Sequence, residues 1–203
     1  MARKPPGPVL ATHALLLTGA PGVGKTTLVR RVATERTGPS PRKAAPRRTG
    51  ETGSERRQGL VCSGFTTEEI REGTRRVGFR IEPVGGPGRI MAHVRFGGAA
   101  RVGRYGVDVA CIDAITEEVL GLEPNVDLYL IDEIGKMECL SERFVAAVRA
   151  LLDSEKRVVA TITRSGGGFI AQVKRRQDVE LWEVRVDNRD DLLGPMLAWI
   201  DSR

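Results

Sequence analysis

"TGAPGVGKTT" occupies residues 18–27, and the reading of that stretch decides the fold. Gly19, Gly22 and Gly24 can take backbone angles that side-chain-bearing residues avoid, and they leave room for a ligand to approach the main chain. The run Gly19-Ala20-Pro21-Gly22-Val23-Gly24-Lys25-Thr26 fits the phosphate-binding pattern of glycine, four residues, glycine, lysine and a hydroxyl residue, with Thr27 directly behind it. Ahead lies Ala14-Leu15-Leu16-Leu17, short and wholly apolar, as a buried parallel strand requires. Behind it, Leu28, Val29, Val32 and Ala33 recur at helical spacing. A strand, a glycine turn and a helix N-terminus together aim unpaired N–H groups and the helix dipole at one point, where an anion is stabilised. An ordinary glycine-rich turn is the alternative, and it has no need of those flanks. On the phosphate reading residues 19 to 27 wrap the phosphates, Lys25 reaches the β- and γ-phosphates, and the Thr26 hydroxyl ligates Mg²⁺.

"LYLIDEIGKME", residues 128–138, supplies the matching half. An apolar strand ending in Asp132 places a carboxylate at the sheet edge where the phosphate loop opens, the Walker B arrangement in which aspartate holds Mg²⁺. Glu133 then stands where it would orient or deprotonate a water attacking the γ-phosphate. Two adjacent carboxylates repel, and a bound divalent cation relieves that cost. Taken alone, Asp132 and Glu133 read equally well as a solvated strand end or a helix N-cap. Lys136 either neutralises phosphate charge or pairs with Glu133 or Glu138. Thr163 and Arg164 precede Ser165-Gly166-Gly167-Gly168; Arg164 is a γ-phosphate sensor or an exposed loop arginine.

A chain of 203 residues is expected to form one domain, residues 1–203, with a substantial core. Charged residues make up 29% and the mean hydropathy is −0.21, which argues for solubility. No apolar run approaches the roughly 20 residues that span a bilayer, and cleaving an N-terminal signal would cut into the phosphate loop, so neither membrane nor secretion is expected. Cys62, Cys111 and Cys139 are odd in number and lack metal-ligand spacing, which fits reduced, buried thiols and a cytoplasmic setting. His13 and His93 are isolated, and neither is expected in catalysis. The net charge of +6 is local. Residues 37–59 carry six basic side chains against two acidic ones, and Arg3 and Lys4 supply the rest of the excess. That segment has no Val, Leu, Ile, Met or aromatic residue, so it reads as a disordered basic insertion. A nucleic-acid arm is possible on charge alone but is not favoured, because no basic face is interleaved with aromatics.

Along the chain, strands are expected at 60–65 and 76–83 with a turn at 71–75, making an antiparallel hairpin, and a further short strand at 89–94. A glycine-marked loop at 97–103 leads to Tyr105–Val109. Regular alternation follows: a helix at 112–120, a strand at 128–131, a helix from Ser141, a strand at 158–162, a helix at 169–174, a strand at 181–186 and a final helix around Leu192–Ile200. Such alternation implies an α/β fold with a mostly parallel sheet covered by helices on both faces, and a ligand at the carboxyl ends of the strands. Asn188 and Arg189 fall at the end of the last strand, as base or ribose neighbours, or else Asp187 or Asn188 caps the final helix.

The stretches "LLLTGAPGVGKTTL", "GFTTEEIREGTRRVGF", "RVGRYGVDV", "LIDEIGKME" and, more weakly, "VDNRDDLL" occur in this order from Leu15 to Leu193. In them the chain resembles the small P-loop nucleoside-triphosphatases that include the vertebrate cancer-related nucleoside-triphosphatase. The resemblance implies a RecA-like α/β P-loop fold with an inserted antiparallel hairpin, and slow Mg²⁺-dependent hydrolysis of ATP, GTP, CTP and UTP to diphosphate with little base selectivity. Insertion 37–59 and the extended N-terminus depart from that pattern. Two other classes stay open: a small-molecule or nucleotide kinase with Glu68, Glu69, Arg71, Arg101 and Arg104 as acceptor contacts, and a nucleotide-dependent switch on RNA or DNA. A monomer is the favoured state.

Overall fold

The computed structural model describes residues 12–36 and 59–202. The insertion expected at 37–59 therefore lies, Gly59 apart, outside the described residues. From Ala14 the chain enters strand β1 (Ala14–Gly19), turns, and enters helix α1 (Lys25–Arg36). Beyond residue 58 come strands β2 (Cys62–Glu72), β3 (Arg75–Pro83), β4 (Arg89–His93), β5 (Arg101–Val102) and β6 (Tyr105–Val107), then helix α2 (Val109–Val119). The chain continues through β7 (Leu128–Ile134), a 3-10 turn (Glu138–Leu140), α3 (Glu142–Leu152), β8 (Arg157–Ile162), α4 (Gly168–Lys174), β9 (Val179–Val184) and α5 (Leu193–Asp201).

All the described strands join one sheet in the order β5-β6-β4-β3-β2-β7-β8-β1-β9. Strands β2, β7, β8, β1 and β9 pair in parallel, and β3, β4, β6 and β5 extend the sheet antiparallel from β2. Strand β2 belongs to both parts. Its Cys62–Phe65 half pairs with Leu128–Ile131 of β7, and from Phe65 onward it pairs with β3.

The apolar run of β1 is explained by what lies on either side. Successive strand residues point to opposite faces. Leu15 and Leu17 pack with Leu28, Val29 and Val32 of α1 and Met196 and Trp199 of α5. Ala14 and Leu16 pack on the other face with Ile112 of α2, Phe144 of α3 and Ile170 of α4. Leu15, Leu16 and Leu17 are fully buried, each worth about 1.5–3 kcal/mol of transfer free energy. Helices on both faces of a largely parallel sheet are thus present as expected.

Several boundaries differ from the sequence reading. The β2–β3 turn narrows to Gly73-Thr74, with Glu72 pairing Arg75, because Gly73 takes φ +62° and permits a two-residue connection. Within the stretch read as a loop, Arg101–Val102 pairs with β6. Helix α2 begins at Val109, since Asp108 accepts the Cys111 N–H at 2.9 Å and caps it three residues early. The last strand is β9 at Val179–Val184, and α5 is preceded by Leu192 with no side-chain cap. Neither Asp187 nor Asn188 caps that helix. Asn188 instead accepts the Arg185 N–H at 2.8 Å and donates to the Glu183 carbonyl at 3.0 Å, fixing the turn after β9. Among the described residues, no helix is long and apolar enough to cross a membrane.

Candidate active site

The carboxyl ends of β1, β7 and β8 converge with the middle of β2 on a cavity of about 800 Å³. One wall is the phosphate loop, with Gly19, Pro21, Gly22, Gly24, Lys25, Thr26 and Thr27 on its surface. Gly19 has no substitute: at φ +154° a Cβ would stand 2.3 Å from the Val184 carbonyl oxygen of β9. Val23 supports the loop from behind, while Ala20 is exposed. The Val23 side chain is buried among the α1-face residues, and its N–H donates to the Ala20 carbonyl at 3.3 Å. The Lys25 ammonium lies over the loop, donating to the carbonyls of Gly19 at 3.2 Å and Ala20 at 3.1 Å.

Asp132 stands opposite, only 2% exposed. Its Oδ1 accepts from Thr26 Oγ1 at 3.1 Å and from Thr161 Oγ1 at 2.7 Å. Its Oδ2 accepts the Thr67 N–H at 3.1 Å and Thr67 Oγ1 at 3.2 Å. The phosphate loop, β8 and β2 thus each send a group to one carboxylate on β7. Charge-assisted bonds of this kind are about twice as strong as neutral ones. Strand β7 does not end at Asp132 as its sequence suggested. It runs to Ile134, which pairs with Ile162 after an irregularity between Ile131 and Ile134. Asp132 and Glu133 occupy that irregularity, where a bulge re-aims side chains, and the peptide between them is cis.

Glu133 lines the cavity. Burial pushes its carboxyl above the ordinary range and Asp132 adds to the effect, while Lys25 and Lys174 pull it back. Glu138 lies wholly inside the protein. Burial raises its carboxyl to about 8, with Glu133 and Asp132 pushing the same way against hydrogen bonds from the backbone of Glu138 and Gly135. The two glutamates meet over Gly135, where a Cβ would stand 2.6 Å from Glu138 Oε2 and 3.2 Å from Glu133 Oε2.

Of the remaining sequence candidates, Thr163, Arg164, Glu68, Glu69 and Arg71 line the cavity, and Lys136 lines a smaller one beside it. Arg189 flanks the phosphate loop, its Cδ 3.6 Å from the place a Gly24 Cβ would take. Arg101 and Arg104 line neither cavity. Arg101 donates to the Phe96 and Arg104 carbonyls, and Arg104 to the Arg76 carbonyl and the Tyr105 hydroxyl. Thr67, Thr161 and Lys174 were not singled out from the sequence. A hydroxyl inside the apolar run Val158–Ile162 was the one visible sign of Thr161. Lys174, on α4, donates to the Arg164 carbonyl at 2.8 Å and so ties down the loop beyond β8.

Among the described residues no cluster of three or more His, Cys, Asp or Glu is poised for a metal. A hydroxyl and one carboxylate, both hard oxygen donors, are instead the set that suits a cation sharing its shell with water and phosphate oxygens. The sequence profile of the family described as NTPase matches residues 54–197. The nucleoside-triphosphatase THEP1 of Thermotoga maritima is 37% identical over 187 residues, which cover 91% of this chain and 93% of that protein. Among solved structures, the crystal structure of THEP1 from the hyperthermophile Aquifex aeolicus superimposes with a TM-score of 0.74 at 30% identity, covering 92% of this chain and 98% of the other. The solution structure of a human cancer-related nucleoside triphosphatase gives a TM-score of 0.71, also at 30% identity, with 95% and 98% covered.

Proposed function

The chain belongs to the NTPase family, and from that premise we propose that it hydrolyses nucleoside 5′-triphosphates (ATP, GTP, CTP and UTP) to diphosphate and phosphate, using magnesium and selecting little among the bases. The observation that carries this reading is the 3.1 Å contact between Thr26 Oγ1 and Asp132 Oδ1. It joins the phosphate loop to a buried carboxylate held by three further donors, with a second carboxyl in the next position. Thr26 and Asp132 would hold the ion, which when bound neutralises charge on the β- and γ-phosphate oxygens.

The remaining roles fall to the chain itself. Loop N–H groups at the start of α1 bind the phosphates. Lys25 exchanges a loop carbonyl for a phosphate oxygen and stabilises the charge that develops on it. Glu133 orients a water in line with the γ-phosphorus. As the water oxygen bonds to phosphorus, its proton passes to the Glu133 carboxylate, and the β–γ bridging oxygen leaves with the diphosphate. A carboxyl lifted above its ordinary range is a better base for this task than a fully solvated one. Weak base selection is supported by an aromatic content of 4%, which leaves few rings to stack on a base.

Two substitutions test the assignment on one preparation. Lys25 touches phosphate before and during reaction, so Lys25→Ala should weaken nucleotide binding in calorimetry and abolish phosphate release together. Glu133 touches the water alone, so Glu133→Gln should bind ATP·Mg²⁺ at least as tightly while turnover falls by about 10²–10⁴, the usual general-base contribution. Parental turnover in Glu133→Gln assigns water activation elsewhere. Lost binding makes Glu133 a metal or structural group.

A further inference from the structure

A second cavity, of about 240 Å³, opens beside the first and shares Thr67, Phe79, Glu133, Thr163 and Ser165 with it. At about 30 Å³ per molecule in the liquid, that space corresponds to about eight waters, whereas hydrolysis calls for one. Its lining is that of a small-molecule site. Met91, Val102 and Met137 join Phe79 in an apolar floor, with Met91 only 1% exposed. The hydroxyls of Thr67, Thr163 and Ser165 and the carboxyls of Glu133 and Glu138 share the lining with them, a mixture that suits a solute with both apolar and hydroxyl groups. Glu133 lies on the wall common to both cavities, so a hydroxyl held in the smaller one faces the same carboxyl as the attacking water.

The charges around this chamber set the class of ligand. Among the described residues its ionisable lining is two carboxyls, Glu133 and Glu138, and one lysine, Lys136. A phosphate-bearing molecule would bring further negative charge to the Glu133 carboxylate, and a neutral polyol would not. Glu133 and Glu138 also offer oxygens to its hydroxyl groups, which a purely apolar solute could not use.

We propose that the smaller cavity binds a small uncharged polyol and that the protein transfers the γ-phosphoryl group to it, a second activity resting on the triphosphatase reading of the same site. In this step the alcohol oxygen bonds to the γ-phosphorus and the bond to the β–γ bridging oxygen breaks. The nucleoside diphosphate departs with that electron pair. The hydroxyl proton passes to the Glu133 carboxylate and from there to solvent. The products are a phosphomonoester and a nucleoside diphosphate, with no other reactant.

The test uses γ-labelled ATP, magnesium and propane-1,2-diol, whose methyl group and paired hydroxyls match the mixed apolar and polar lining. The readout is the ratio of labelled propanediol phosphate to labelled inorganic phosphate. This ratio is internal to each reaction and insensitive to viscosity. A bound alcohol attacks with an effective concentration above its bulk value, so the ratio should exceed the molar ratio of diol to water by about tenfold or more. Val102→Trp, which fills the floor, should return it to the molar ratio. Lys136→Trp, on the exposed rim, should do the same without touching the core. A parental ratio at the molar value overturns the proposal, while phosphate release alone keeps the hydrolase reading. A high ratio that survives both filling substitutions overturns the assignment to this cavity. No turnover with or without diol removes both readings.

Discussion

Replacing Glu138 by glutamine should change how stability depends on pH, and the size of the effect follows from where the carboxyl lies. It is fully buried, faces Glu133 and Asp132, and is raised from 4.5 to about 8. The folded chain therefore keeps this proton up to about pH 8, whereas an unfolded chain releases it near 4.5. Between those values the native state binds more protons, so stability falls as pH rises, and the contribution is flat outside the window. At 1.36 kcal/mol per pH unit the ceiling is about 5 kcal/mol. Relaxation around the ionised group lowers that figure, and Glu133, itself raised by burial, shares the same region. Glutamine keeps the shape and cannot ionise. In guanidinium unfolding from pH 5 to 8 the parent should lose at least about 2 kcal/mol more than Glu138→Gln. At about 2–4 °C per kcal/mol for a chain of this size, the variant should melt several degrees above the parent at pH 8. The two should nearly coincide at pH 5. Parallel stability curves for the two proteins would refute the reasoning, since they would mean that Glu138 ionises in the folded protein as freely as in water.

Thr161→Val keeps the volume of a fully buried side chain but removes the 2.7 Å donor to Asp132; the expected cost is about 1.5–3 kcal/mol, the range for a hydrogen bond to a charged group, read as a lower Tm. Gly64→Ala places a Cβ 1.9 Å from the Leu130 carbonyl at φ +125°, so it should destabilise by about 1–3 kcal/mol or more and separate β2 from β7, seen as faster amide exchange in both strands. Replacing residues 37–59 by a short glycine–serine bridge should leave kcat and Tm close to the parent, because the segment contains no large apolar side chain. A fall in kcat by an order of magnitude would show that it serves the site.

The phosphate loop, β1 and the alternation of strands and helices were legible because they rest on local patterns: an apolar run, glycine spacing and helical periodicity. Asp132 was legible by its place after Leu128–Ile131. Its surroundings were not. Thr67 and Thr161 reach Asp132 only because β2 and β8 flank β7 in the sheet, and strand order is a property of the whole fold rather than of any window. The same holds for Glu138, which looked like a turn residue beside Lys136 and is buried because β7 continues to Ile134 before the chain turns. Strand β5 escaped notice because two residues between glycine-rich stretches carry too little periodicity to read. Asn188 reads from its type and place as a base or ribose neighbour or as a cap, yet its amide is occupied by Arg185 and Glu183.

The position of β1 between β8 and β9 bears on how the protein is made. Among the described residues, β1 has β8 and β9 as its sheet neighbours, and both leave the ribosome long after it. A nascent chain can close the β2–β3 hairpin and lay β7 beside β2 while β1 still has no partner. Non-local pairings of this kind are slow to form, because the loop must close before the contact rewards it. The Val184 carbonyl that packs against Gly19 arrives later still. The phosphate loop is therefore synthesised well before β8 and β9 and takes its shape only after they have emerged. Nucleotide added during synthesis should find its site only on chains that have already made β9, so binding follows the closure of the sheet around β1 and does not template it.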